Sequence, residues 1–154
     1  MATRSTIALE FADGTVQQVY CHWDGYLEHN GKILAEHYSN PFILRDLIDL
    51  GGLSSLRRDI GEKHAFSQFD LPKEEVEAFV KRTENMCTFY ARDRGEKLVV
   101  HKFADFEDYL AHHAYEEYEY ILRNDNGVAV WFVDCGATGY VTLETALINE
   151  REAA

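Results

Sequence analysis

Two glycine-containing turns, each set between segments of alternating polarity, constrain this chain more than any other feature. Residues 5–11 place Ile7, Leu9 and Phe11 on one side and Thr6, Ala8 and Glu10 on the other, the period of a half-buried strand. Asp13-Gly14 follows, and glycine accepts the positive φ of a tight hairpin turn without steric cost. Residues 16–23 return as the partner strand, with Val19, Cys21 and Trp23 on one face and Tyr20 and His22 on the other. The pattern recurs near the C-terminus. Tyr118, Tyr120 and Leu122 alternate with Glu119 and Ile121, Asn126-Gly127 turns the chain, and the nearly all-apolar Val128–Asp134 predicts a central strand.

Helices are predicted between the hairpins and after them. One runs from about Asn30 to Tyr38. The next starts at Asn40-Pro41, where Asn40 suits the cap and Pro41 the first turn, and ends at Gly51-Gly52. Residues 53–71 read mostly as loop. Lys73 to about Arg92 carries Val76, Phe79, Val80, Thr83, Cys87 and Tyr90 at helical spacing, with Asp70 as its cap. Leu98–Phe103 reads as a short strand. Asp105 caps a short helix with Phe106, Tyr109 and Leu110 inward, and Thr142 caps a last helix to Asn149. The expected fold is one α+β domain over residues 1–154: an antiparallel sheet of four or five strands built from two hairpins, with helices packed on one face.

Composition bounds the function. The 154 residues are 46% hydrophobic and 13% aromatic, enough for a core without disulfide staples and unlike a disordered chain. Twenty-seven acids against 15 bases give a net charge of −12. Such a surface repels phosphates, so neither direct nucleic-acid binding nor an anionic membrane is expected. No run reaches the roughly 18 apolar residues of a membrane span, and Met1–Thr6 lacks the apolar core of a signal peptide. Three scattered cysteines, Cys21, Cys87 and Cys135, with no CxxC, point to a reducing cytoplasm.

Two clusters are candidate sites. In the first, His22, Trp23, Asp24 and Tyr26 supply aromatic walls and polar groups of the kind that line small-ligand pockets, a nucleotide being one candidate ligand. The competing reading is a packed turn in which Trp23 and Tyr26 anchor strand to helix. Adjacent Cys21 and His22 point to opposite strand faces, which disfavours a shared metal, and acidic surroundings disfavour Cys21 as a nucleophile. The second cluster is an acidic, tyrosine-rich stretch with Glu107, Asp108, Glu116, Glu117 and Glu119, whose carboxylates either imitate a polyanion for a basic partner or form a solvated face. No glycine-rich phosphate loop, GxSxG or HExxH occurs, and no catalytic residue, metal or cofactor is assigned. Pairing of an exposed 118–122 strand edge would give a homodimer.

Thr3-Arg4-Ser5-Thr6-Ile7-Ala8, Asp13-Gly14, Val19-Tyr20-Cys21-His22-Trp23-Asp24-Gly25-Tyr26, His37-Tyr38 and Leu53-Ser54-Ser55-Leu56 resemble a family of small proteins from bacteriophage and prophage genomes. The likeness covers about the first 56 residues and extends more loosely to Tyr118–Val133; residues 60–105 show none. It implies a phage-encoded accessory protein in the cytoplasm of the bacterial host and carries over no catalytic residue. The expected function is non-enzymatic. The chain would bind and modulate a host protein with a basic surface, for example as a defence-system inhibitor or nucleic-acid mimic, the alternative being a small-ligand binder or enzyme using the His22–Tyr26 turn.

Overall fold

The hairpins form where the turns predict them. In the computed structural model, which describes residues 2–153, β1 (Ser5–Glu10) pairs antiparallel with β2 (Val16–Cys21), and β6 (Tyr118–Asp125) with β7 (Val128–Cys135). Gly14, Asn126 and Gly127 all take positive φ. Asn124 Oδ1 accepts from Gly127 N, and Asp13 Oδ1 accepts from both the backbone and the hydroxyl of Thr15.

What joins the hairpins departs from expectation. β1 runs parallel to β6, from Ser5 beside Tyr118 to Leu9 beside Leu122. The sheet is therefore mixed, not antiparallel, and has eight strands instead of four or five. Its order is β4-β3-β2-β1-β6-β7-β8, where β3 is Leu53–Ser55, β4 Thr88–Phe89 and β8 Tyr140–Thr142, while β5 (His101–Phe103) pairs with the start of β2. The three strands not expected from the sequence, β3, β4 and β8, are two or three residues long, too short to show a period of two. The 118–122 segment lies between β1 and β7, so it offers no free edge for pairing with a second copy.

Both faces of the sheet are covered, where helices on one face were expected. On the first face, Ile7, Leu9, Val19, Cys21, Tyr120, Leu122, Trp131 and Val133 pack against α1 (Lys32–His37), α2 (Pro41–Ile48) and α6 (Leu143–Ala153). On the second, Ala8, Val16 and Ile121 meet Tyr109 of α5 (Phe106–His112). Ser5 to Leu9 are consequently all buried, not half-buried.

Three caps are where the sequence puts them. Asn40 accepts from Phe42 N, Asp105 from Asp108 N and Thr142 from Thr145 N. The predicted 73–92 helix breaks up. A 3-10 turn at Lys73–Glu75 leads into α3 (Val76–Thr83), which stops before Cys87, and α4 (Tyr90–Arg94) follows β4. Pairing with residues 57–61 overrides the helical period. Asp59 N donates to Asn85 O, Cys87 N donates to Asp59 O, and the Arg92 guanidinium reaches the carbonyls of Ile60, Gly61 and Cys87. Asp70 does not cap; it sits in a 3-10 turn capped by Ser67. Leu110, expected inward, is exposed.

Gly25 shows how tightly the first turn is seated. A Cβ there would meet Ser5 Cβ at 2.7 Å and Thr3 O at 2.9 Å. Gly25→Ala should therefore cost about 1–3 kcal/mol of stability, read from urea unfolding, since β1 cannot withdraw from the sheet to make room.

Candidate functional site

The His22–Tyr26 turn is built by residues that are themselves architectural. Past the end of β2, His22 N and Trp23 N donate to Leu53 O and Ser54 O. Asp24 then takes φ 57, and Gly25 N donates to Thr3 O. A fully buried Asn30 closes the turn from beneath, its amide nitrogen donating to Ser5 Oγ at 3.2 Å and Trp23 O at 3.3 Å and lying 3.5 Å from Cys21 Sγ. The Tyr120 hydroxyl donates to Gly25 O at 2.7 Å. The side chains left facing outward are those of the first candidate cluster. Trp23 is 43% and Tyr26 40% exposed. His22 is half-buried, with Nδ1 2.7 Å from the Tyr20 hydroxyl and its ring edge-on to Trp23. Trp23 and Tyr26 thus do not act as core anchors.

Two of the three cysteines, Cys21 and Cys87, are buried. Burial pushes the Cys21 thiol up to about 12, and burial raises Cys87 and Cys135 as well. Cys21 and Cys87, both buried, are thereby poor nucleophiles at neutral pH, whereas half-buried Cys135 is the most open of the three. Among the described residues no group of three His, Cys, Asp or Glu side chains is arranged to hold a metal ion.

The acidic stretch separates into three parts. Glu107 and Asp108 occupy the first turn of α5, where Asp108 accepts from Ala104 N and from His112, bonds that hold its carboxyl below the usual range. Glu116 and Glu117 lie beyond the other end of that helix, at the start of β6. Glu119 does not belong to the surface at all. It is 1% exposed, with Oε1 2.7 Å from His113 Nε2 and accepting from the Tyr140 hydroxyl at 3.1 Å, while Oε2 accepts from Glu116 N. Tyr109 stacks on the His113 ring and its hydroxyl lies 2.9 Å from that of Tyr140. The strand register extends this into a polar row across five strands, Tyr20-Thr6-Glu119-Asp134-Tyr140, on the second face. Glu119 therefore fixes the backbone that presents Glu116 and Glu117.

That presentation brings the two candidate clusters together. Arg4 N approaches Glu117 Oε1 at 3.5 Å, and Arg4 O accepts from Tyr118 N. One residue away Thr3 O holds Gly25 in the aromatic turn. Burial raises the Tyr20 hydroxyl, with Arg4 and Glu116 acting on it in opposite directions. One end of the sheet therefore displays Trp23, Tyr26, Glu116 and Glu117, with Glu107 and Asp108 at the opposite end of α5. Arg4, Tyr20 and His113 were not among the candidate site residues read from the sequence. The alternation that puts Glu119 with Ile121, opposite Tyr120, was the available signal that Glu119 faces inward.

No protein-family model, curated protein or solved structure matches the chain.

Two outcomes follow from this geometry. Glu119→Leu leaves His113 buried without its partner and should cost about 3–5 kcal/mol in urea unfolding, whereas Glu119→Gln, whose Oε1 still accepts, should cost less. Under native conditions at pH 8, iodoacetamide should modify Cys135 first, with Cys21 and Cys87 reacting only as the chain unfolds, as peptide mass spectrometry would resolve.

Proposed function

We propose that the chain is a phage-encoded, non-enzymatic protein that binds and modulates a basic-surfaced protein of the bacterial host from within the host cytoplasm. The observation that carries this reading is the display of exposed Trp23 and Tyr26 beside Glu116 and Glu117 at one end of the sheet. Tryptophan and tyrosine are the side chains that most often dominate binding energy at protein interfaces. Acidic groups at the rim steer a cationic partner and fix its orientation. The overall charge of −12 acts in the same direction at longer range and gives the chain the sign of a nucleic acid, as an inhibitor of a DNA-binding defence protein would need.

The buried network beneath supports the same reading. A rigid, pre-positioned loop loses less entropy on docking than a mobile one. The partner-binding set is therefore Trp23, Tyr26, Glu116 and Glu117, with Glu107 and Asp108 as an outlying extension and Glu119 as a positioning residue. For the alternative of a small-ligand site at His22, Trp23, Asp24 and Tyr26, a cavity of about 240 Å³ lies nearby, but it is lined by Tyr20, Tyr90, Lys97 and His101 and by none of those four residues.

Affinity capture from bacterial lysate, followed by calorimetry with the purified partner, separates the two. Trp23→Ala and the pair Glu116→Lys/Glu117→Lys should each weaken the complex by about tenfold or more, and the charge reversals should also flatten its salt dependence. Retention of full affinity in both variants would sink the docking reading. A nucleotide that raises the melting temperature of the free protein, with no partner captured, would install the alternative.

A further inference from the structure

A cavity of about 420 Å³ opens at the opposite end of the sheet from the aromatic turn, between the two hairpin turns and the start of α2. Its volume falls in the range of small-molecule sites. The floor is apolar: Leu9 and Phe11 of the first hairpin, and Leu122 and Ala129 of the second. The wall is Phe42, whose ring is 69% exposed although it sits on an otherwise amphipathic helix, and Arg45, whose guanidinium stands 5.5 Å from the centre of that ring.

The charges at the mouth are not equivalent. Glu10 and Arg123 border the cavity, but strand alternation turns their side chains to the other face, where Arg123 bonds Glu10 at 3.1 Å and covers Phe106. They neutralise each other there. Arg45 remains on the cavity side. Its nearest carboxylate is Asp46, its own neighbour, at 4.0 Å between largely exposed groups, a contact of little strength. An apolar chamber with one weakly compensated guanidinium at its rim recognises an apolar body ending in a single anion. The excess negative charge of the chain disfavours a polyanion in the same place.

We propose that this cavity binds a small amphiphile with an apolar body and one carboxylate head, the body lying on Leu9, Leu122 and Ala129 under Phe42 and the head meeting Arg45. The site is separate from the docking surface and does not depend on it.

Titration of the whole protein with dodecanoate, below its micelle concentration, tests this by calorimetry and thermal shift. Saturable binding at one equivalent with a raised melting temperature is expected. Ala129→Trp should fill the chamber and abolish binding. Arg45→Gln, a change at an exposed position, should weaken dodecanoate by about tenfold while leaving dodecanol unaffected, because only the carboxylate uses the guanidinium. Trp23→Ala should bind dodecanoate as the unaltered chain does, so failure of the docking surface and failure of the cavity are distinguishable. Absence of saturable binding in the unaltered protein overturns the proposal, as does equal loss of acid and alcohol in Arg45→Gln. A dimer seen by sedimentation that Ala129→Trp dissociates would also overturn it, assigning the cavity to a second copy.

Discussion

The parallel pairing of Ser5–Leu9 with Tyr118–Leu122 is the contact on which the rest of the molecule depends. Each hairpin alone would be a marginal two-stranded unit with one apolar face. Joined through β1 and β6, they become the centre of an eight-stranded sheet, and β1 acquires neighbours on both sides. A strand in that position must be covered above and below. The first face is covered by α1, α2 and α6, which bring Leu34, Leu44, Leu47, Ile48, Leu143 and Ala146. On the second, among the described residues, α5 covers a small apolar cluster, with Thr6, Gln18, Glu119 and Asp134 buried beside it. A thinly covered face has to satisfy its polar groups internally: His113 and Tyr140 meet Glu119, and Asp134 Oδ1 accepts from Thr138 N and Gly139 N, while the buried Thr6 hydroxyl is left without a partner.

The same pairing explains why the recognisable N-terminal residues lie where they do. Because β1 and β6 run in one direction, both begin at the same end of the sheet, and β2 ends there. Ser5, Cys21 and Tyr118 are consequently in register. The turn after β2 folds back over that end, so Thr3, Gly25, Asn30 and Tyr120 meet although they are distributed across almost the whole chain. Much of the Tyr20–Tyr26 segment is thus structural. What the architecture does not consume are Trp23 and Tyr26, two large side chains held at the surface by a rigid turn.

Local chemistry was legible in the sequence. The two hairpin turns, the three caps at Asn40, Asp105 and Thr142, and the central character of Val128–Asp134 are set by residues within a few positions of one another. Long-range contacts were not. The parallel β1–β6 register spans 113 positions, from Ser5 to Tyr118, and alternation alone cannot choose between an antiparallel neighbour and a parallel one. The helical period through residues 73–92 is real, yet Asp59 and Arg92 draw Cys87 and its carbonyl into a different arrangement. The aromatic turn was legible as a cluster and the acids as a stretch, but their meeting at one end of the sheet follows only from the topology, and Glu119 was misplaced because its charge was read without its face.

Charge distribution ties the two ends of the sheet together. A chain with 27 acids and 15 bases has few cations to place, and each position therefore carries information. Arg92 is spent on the carbonyls of Ile60, Gly61 and Cys87 and on Asp93, which together replace the predicted long helix. Arg123 is spent on Glu10 and the face of Phe106. The Arg4 backbone, not its guanidinium, meets Glu117 and Tyr118 at the acidic end of the sheet. Arg45 has no comparable structural duty: it reaches only its neighbour Asp46 and the ring of Phe42. An arginine that bridges no strands and closes no loop, poised over an apolar chamber, is the group that the proposed amphiphile would meet.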